Sequence, residues 1–146
     1  MRNRIACILL LAGALATARA ELTIQFPGRE PVSLAQFRGR VVVLAVILAE
    51  CSDCERVLQQ LNRIGVRYRS DEVKIFAAAI DQSPASLSAL SSLSRRLKLE
   101  FPIGSCPRTE ILESLGRKPD ARFYAPMVSI IDRTGKVVVS HSGYDP

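Results

Sequence analysis

The hydrophobic positions of this chain fall into continuous apolar runs that alternate with segments of helical periodicity. Val41 to Leu48 and Val73 to Ile80 are apolar runs, which is typical of strands buried on both faces of an α/β sheet. Met127 to Ile131 and Lys136 to Ser140 predict two further strands, joined by a four-residue turn with hairpin chemistry. Leu22 to Phe26 alternates in polarity and predicts a short first strand.

Three helices are predicted between these strands. The segment from Ser52 to Tyr68 predicts the first, because its apolar residues recur at helical spacing. That stripe consists of Val57, Leu61, Ile64 and Tyr68. Ser83 and Pro84 suit the N-cap and first position of a second helix. Its buried stripe consists of Leu87, Leu90, Leu93 and Leu97. Pro107 to Leu115 predicts a third, short helix, and Ser33 to Phe37 a helical turn.

This order of elements predicts a single α/β domain with a mixed central sheet flanked by helices. The strands that alternate with helices should be parallel, and the final hairpin should be antiparallel. The 146 residues are 48% hydrophobic, which is enough for one buried core. Neither an internal repeat nor a low-complexity linker divides the chain.

The N-terminus predicts a secretory signal peptide over residues 1–20, followed by the domain over residues 21–146. Arg2 and Arg4 precede an apolar run, and Ala18-Arg19-Ala20 fits a small-residue cleavage site. The run is shorter than the ~20 apolar residues of a membrane span, which disfavours the alternative, an uncleaved anchor. Cys7 would leave with the signal. The expected location is across the inner membrane, in the periplasm, with membrane attachment only if the signal stays.

The basic residues do not indicate nucleic-acid binding. Loss of the three signal arginines takes the formal charge from +6 to +3, and no aromatic platform accompanies the remaining basic residues. Several of them are expected on solvated helix faces. They are Arg67, Arg69, Arg95, Arg96 and Lys98.

Three cysteines remain after the signal, and their spacing points to redox chemistry. Cys51 and Cys54 are two residues apart at a predicted strand-to-helix junction, whereas Cys106 stands alone. Unpaired N–H groups at a helix N-terminus favour a thiolate, so Cys51 is the expected nucleophile. Cys54, one turn later, would resolve the mixed disulfide. A zinc half-site is the alternative, but only Cys106 and His141 could add ligands, so no metal is expected.

With these motifs the chain resembles the TlpA-like and ResA-like thiol–disulfide oxidoreductases of the thioredoxin superfamily. The residues that carry the resemblance are Leu34 to Phe37, Gly39 to Leu44, Cys51 to Cys54, Ile80-Asp81, Ala125-Pro126 and Ile130 to Gly135.

The resemblance implies a thioredoxin-like fold and the oxidation or reduction of protein disulfides. The expected partners are proteins with disulfides or thiols and an unidentified electron-donor protein, and no cofactor is expected. Pro126 matches a family proline that is cis and faces the cysteines, while the backbone before it pairs with substrate peptide. Small Ala125 would leave room for an incoming substrate sulfur.

The chain departs from the family around the cysteines. Glu50 replaces a customary Trp, and Asp53 and Glu55 add two further carboxylates. Nearby negative charge should raise the pKa of Cys51 and favour a reductant over a strong oxidant, unless these side chains point into solvent. A buried acid that moves protons is replaced by Ala45, and a related helix position by Val57. We therefore expect Glu50, Asp53 or Glu55 to act as proton acceptor.

Other activities remain as alternatives. A peroxidase of this fold places Thr three residues before its reactive Cys, where this chain has Leu48, so that interpretation is poor. Copper-delivery relatives space their cysteines three residues apart and add a His, which His141 matches poorly. A non-catalytic binding module or metal carrier that uses the same cysteines is the second hypothesis. Cys106 is expected to be a buried inert thiol, with a redox partner role as the alternative.

The final residues, from Gly143 to Pro146, resemble the start of a helix with Asp145 as N-cap. Thioredoxin-like folds usually carry a last helix over one sheet face, and here it is expected to be missing.

Overall fold

The computed structural model describes residues 22–68 and 71–145, and within them the chain forms seven strands and three α-helices. The strands are β1 (Thr23–Ile24), β2 (Val32–Ser33), β3 (Val41–Ile47), β4 (Val73–Ala79), β5 (Ile103–Ser105), β6 (Met127–Ile131) and β7 (Val137–Ser142). The helices are α1 (Ser52–Arg67), α2 (Pro84–Leu97) and α3 (Arg108–Ser114), and a 3₁₀ turn occupies Leu34–Phe37. The predicted signal peptide, Arg69 and Pro146 lie outside the described residues.

The central sheet is mixed, as the sequence predicts. Its strand order is β5-β4-β3-β6-β7. Strands β3, β4 and β5 run parallel, while β6 lies antiparallel to β3 and β7 lies antiparallel to β6. Strands β1 and β2 form a separate antiparallel pair. Strand β3 therefore lies at the centre of the sheet, where both of its edges and both of its faces are covered.

Alternate residues of the central strands build two apolar clusters on opposite faces of the sheet. Leu44 of β3 packs on the face that α3 and β1 cover, which we call the α3 face. Ala45 and Ile47 pack on the other face with α1 and α2, which we call the α1 face. This alternation follows from the two-residue period of a strand. Cys54 belongs to the α1 face and Cys106 to the α3 face.

The predicted apolar stripe of α1 is right in its first half and wrong in its second. Val57 and Leu61 are buried, but Ile64 and Tyr68 are 47% and 62% exposed. The buried face instead continues to Gly65, where an added Cβ would lie 3.1 Å from Cδ1 of Ile75. Helix α1 thus lies close to the sheet through a small residue, and the larger apolar residues beside it face outward.

Helix α2 begins as predicted. Pro84 is its first residue, and the side chain of Ser83 accepts a hydrogen bond from the backbone N–H of Ser86 at 3.2 Å. Leu90 and Leu93 are buried, while Leu87 and Leu97 pack at the margin of the same cluster.

Strands β2 and β5 are absent from the sequence prediction. Strand β5 is a three-residue segment in which Ser105 exchanges two backbone hydrogen bonds of 2.8 Å with Gln25. This pairing brings the backbones so close that a Cβ on Gly104 would overlap the carbonyl oxygen of Gln25. A short segment with a central glycine carries no periodic signal, so β5 is defined as a strand only by its long-range pairing with β4 and its contact with Gln25.

The final hairpin is confirmed, with a shift at its second strand. Strand β7 runs from Val137 to Ser142 rather than from Lys136 to Ser140, and a bulge lies beside Ile130. Asp132 organises the turn, because its Oδ1 accepts hydrogen bonds from the backbone N–H groups of Thr134 (2.9 Å) and Lys136 (3.0 Å). Residues 143–145 follow β7 without forming a helix. Within residues 22–68 and 71–145, no helix is both long and apolar enough to cross a membrane.

Candidate active site

Cys51 and Cys54 lie where the central strand β3 gives way to α1. A disulfide joins the two residues, whose Cα atoms are 5.1 Å apart. Their predicted placement at a strand-to-helix junction is therefore confirmed: the pair lies between the carboxyl end of a buried parallel strand and the first turn of a helix.

Cys51 is the N-cap of α1. Its backbone is extended, at φ −149° and ψ 109°, and its Sγ accepts a hydrogen bond from the backbone N–H of Cys54 at 3.2 Å. An N-cap atom satisfies one of the unpaired N–H groups of the first turn and sits at the positive end of the helix dipole. In the reduced protein, this position would stabilise negative charge on the Cys51 sulfur.

The two sulfurs differ in their access to solvent. Cys54 is 1% exposed and packs with the α1-face cluster, whereas Cys51 lies at the margin of that cluster and is partly exposed. Only Cys51 can therefore meet a partner sulfur without a rearrangement of the core. This asymmetry matches the roles expected of an attacking and a resolving thiol.

The Ala125-Pro126 peptide bond is cis, as the resemblance implies. Pro126 is fully buried directly before β6, and Met127 of β6 pairs with Val46 of β3. This register brings Pro126 to the end of β3 that leads into the cysteines. Ala125 packs against the same cluster as Cys51, and the backbone N–H of Gly143 donates to the Pro126 carbonyl at 2.8 Å.

Two of the three carboxylates near the cysteines are engaged in ion pairs. Both oxygens of Glu55 accept hydrogen bonds from Arg96 of α2, at 2.7 and 2.9 Å. This hydrogen bonding holds the pKa of Glu55 below its ordinary value, against a smaller opposing effect of burial. Asp53 accepts a single hydrogen bond from Arg56 at 3.3 Å. Glu50 is exposed.

Arg96 is the site residue that sequence reasoning missed. We expected it on a solvated helix face, but it binds a carboxylate one residue after Cys54. The partners are 41 positions apart, so no local pattern predicts their contact. The helical periodicity of α2 gave only a weak signal that Arg96 lies near the site. It placed Arg96 beside Leu93 and Leu97 of the predicted buried stripe, but it did not identify a partner.

Ala45 and Val57, the positions at which we expected the family's acid to be missing, are buried apolar residues of the α1 face. No carboxylate reaches the cysteines from either position.

Cys106 lies outside this site. It is fully buried on the α3 face, follows β5, and its Sγ lies 3.7 Å from Oε2 of Glu110. Burial, followed by the charge of Glu110, raises the pKa of the Cys106 thiol to about 12. The sheet separates it from Cys54, and the expectation that Cys106 is buried is confirmed. Across the two described ranges, no three His, Cys, Asp or Glu residues are placed to hold a metal ion together.

The chain is similar to curated thiol–disulfide oxidoreductases. It is 26% identical over 112 residues to the thiol-disulfide oxidoreductase ResA of Bacillus thuringiensis subsp. konkukian. The match covers 77% of this chain and 60% of that relative. The chain thus spans less than two thirds of the length of this curated relative.

Solved structures share its fold. StoA from Bacillus subtilis superposes with a TM-score of 0.68 at 18% identity, covering 87% of this chain and 90% of that one. A thiol:disulfide interchange protein of the thioredoxin family from Chlorobium tepidum gives 0.67 at 17% identity, with 89% and 90% covered. These matches and the mixed sheet confirm the thioredoxin-like fold. A family model described as the AhpC/TSA family matches residues 17–140. The chain therefore belongs to the AhpC/TSA family, within which it is similar to ResA-like thiol–disulfide oxidoreductases.

Proposed function

We propose that this protein is an extracytoplasmic thiol–disulfide oxidoreductase that exchanges electrons with protein disulfides through Cys51 and Cys54. The observation that carries the proposal is the disulfide between an N-cap cysteine, which is partly exposed, and a buried cysteine in the first helical turn. The similarity to ResA supports the same chemistry.

In the reducing direction, the Cys51 thiolate attacks one sulfur of a substrate disulfide. The substrate S–S bond breaks, its second sulfur leaves as a thiolate and takes a proton from solvent, and a mixed disulfide with Cys51 remains. Cys54 then loses its proton and attacks the Cys51 sulfur, which releases the first substrate sulfur. Two electrons pass to the substrate, which becomes a dithiol, and the protein ends with the Cys51–Cys54 disulfide. A second dithiol protein, the electron donor, restores the reduced pair.

Substrate would bind beside Ala125 and Pro126. Ala125 has a small side chain that packs against the same cluster as Cys51, and the cis bond turns its backbone at the start of β6. We propose that a substrate peptide pairs with this backbone while its sulfur approaches Cys51. The exposed ring of Tyr124, directly before Ala125, would add apolar contact.

The carboxylates around the motif favour the reducing direction in our proposal. Glu50 and Asp53 place negative charge near Cys51, which disfavours its thiolate and so stabilises the disulfide relative to the dithiol. Glu55 contributes less, because Arg96 neutralises it. For the same reason Glu55 is the weakest proton acceptor of the three, and we assign that role first to Glu50 or Asp53.

The location follows from the sequence of residues 1–20, whose charged start, apolar run and small-residue end are those of an export signal. Disulfides persist in an oxidising compartment, so such a location suits a Cys51–Cys54 disulfide that a separate electron-donor protein reduces. Fractionation of cells that express the full chain would test this, with recovery in the cytoplasm as the contrary result.

One assay tests the activity. The reduced protein is mixed with insulin, whose disulfide reduction is followed by turbidity, with Cys51→Ser as the test variant and Cys106→Ala as the matched control. We expect activity in the wild type and in Cys106→Ala, and loss to background in Cys51→Ser. Equal activity of Cys51→Ser would refute the proposal. An inactive wild type that binds Cu(I) or Zn(II) tightly through the two cysteines would favour the carrier alternative instead.

A further inference from the structure

Helices α1 and α2 are joined by an ion pair with near-ideal geometry. Arg96 donates from both terminal nitrogens to the two oxygens of Glu55, at 2.9 and 2.7 Å. A bidentate guanidinium–carboxylate pair fixes the orientation of both planes, which a single contact does not. The Glu55 side chain is only 30% exposed in this arrangement. The ion pair therefore holds the Glu55 carboxylate in one position, whereas an unpaired carboxylate would move freely.

Glu55 lies on the Cys51 side of α1. It follows Cys51 by four residues, and its backbone N–H donates to the Cys51 carbonyl at 3.1 Å. Helical side chains lean toward the N-terminus of their helix, and Cys51 is the N-cap of α1. Without a partner, the Glu55 carboxylate would therefore extend along the helix toward the Cys51 sulfur, where it would oppose the helix N-terminus.

We propose that Arg96 is a positioning residue for the thiol chemistry: it holds the Glu55 carboxylate against α2 and neutralises it, so that Cys51 keeps the benefit of its N-cap position. The proposal rests on the proposed role of Cys51 as the attacking thiol. Arg96 does not touch Cys51 or the substrate. It acts only through Glu55, and its effect is to limit how far the acidic motif weakens the nucleophile.

The pKa shifts of Glu55 and Arg96 show that their charges interact. The hydrogen bonds and charge of Arg96 keep the pKa of Glu55 low, and those of Glu55 raise the pKa of Arg96, so both stay charged over the working pH range. Asp53 and Arg56 form a looser pair of one contact at 3.3 Å, with both side chains more than half exposed. Such exposed pairs contribute little. Glu50, Asp53 and Arg56 are the other charged groups at this end of α1, and the test leaves them unchanged.

The test measures the alkylation rate of Cys51 by iodoacetamide in the reduced protein from pH 5 to 10, with the site read by mass spectrometry. In Arg96→Gln, the freed carboxylate should raise the apparent pKa of Cys51 by roughly 0.5–1 unit. Arg95→Gln is the matched control, because it removes the same charge one residue earlier on α2 and leaves the pair intact. Its profile should match the wild type.

A charge-removal cycle separates positioning from structure. The variant Glu55→Gln/Arg96→Gln should return the pKa of Cys51 to within about 0.3 unit of the wild type, because the unpaired carboxylate is gone. A rise that persists in this double variant would overturn the proposal, as would equal profiles for Arg96→Gln and Arg95→Gln. A drop in melting temperature without a shift in the Cys51 profile would mean that Arg96 only ties two helices together, and would also overturn it.

Alkylation requires no disulfide exchange, so the pKa of Cys51 can be measured whether or not the protein reduces a disulfide. A protein that fails to reduce insulin but shows the Arg96-dependent shift would refute the function and not this inference.

Discussion

Two cysteines of this chain follow parallel strands at the same end of the sheet, and their surroundings give them opposite chemistry. Cys51 is partly exposed, and its sulfur accepts a backbone N–H at a helix N-terminus. Cys106 is fully buried on the other face, and its sulfur faces the carboxylate of Glu110. One environment stabilises a thiolate and the other opposes it. Residue type therefore says little about a thiol until its neighbours are known.

The largest expected effect is a difference in reactivity between these two thiols. With its pKa raised to about 12, Cys106 would be thiolate in about one molecule in ten thousand at pH 8, against roughly one in ten for a thiol with the ordinary pKa of 9.0. We expect iodoacetamide to modify Cys51 at least ~1,000-fold faster than Cys106 in the reduced, folded protein. Peptide mapping by mass spectrometry measures both rates. Comparable alkylation rates for Cys51 and Cys106 would contradict the predicted difference between the two thiols.

The next effect concerns the packing that keeps Cys106 buried. A Cβ on Gly104 would overlap the Gln25 carbonyl and approach Ile24 and Phe26 side-chain carbons to 2.8 Å. We expect Gly104→Ala to lower the free energy of unfolding by about 2–4 kcal/mol, because rigid backbone must move. Urea unfolding measures the change.

Gly65→Ala is the matched control for this substitution. Its Cβ would meet only the flexible end of Ile75, at 3.1 Å, and alanine favours a helix, so we expect a change within about 1 kcal/mol. A tolerated Gly104→Ala would contradict the close approach of Gln25 to Gly104.

The helices and strands differ in how far the sequence could predict them. Helix α2 was recognisable from Ser83 and Pro84, because capping is local chemistry. The central strands were recognisable as apolar runs. Strand β5 was not, since it exists only through its contacts with β4 and Gln25.

The candidate active site likewise contains features that the sequence predicted and one that it did not. The apolar run before Cys51 and the helical periodicity after it predicted the place of the two cysteines, and the resemblance implied the cis bond before Pro126. The pairing of Glu55 with Arg96 depends on how two helices pack across 41 residues, which no local pattern encodes.

A smaller effect is the contribution of Cys106 to the pH dependence of stability. Its pKa is about 12 in the folded protein and 9.0 for the free group, so folding favours the neutral thiol. This contribution is complete below pH 9 and is lost as pH rises towards 12. Between pH 8 and pH 10 the wild type should lose about 1.4 kcal/mol more of its unfolding free energy than Cys106→Ala. Urea unfolding under reducing conditions measures it, and parallel losses in the two proteins would contradict it.

The most direct test of the central claim is to trap the mixed disulfide. Reduced Cys54→Ser lacks the resolving thiol, so a peptide disulfide should leave one half of the peptide attached to Cys51. Mass spectrometry locates the adduct. We predict modification of Cys51 and none of Cys106. An adduct on Cys106, or no adduct on Cys51 while the wild type still reduces the same peptide, would contradict the assignment of Cys51 as the nucleophile.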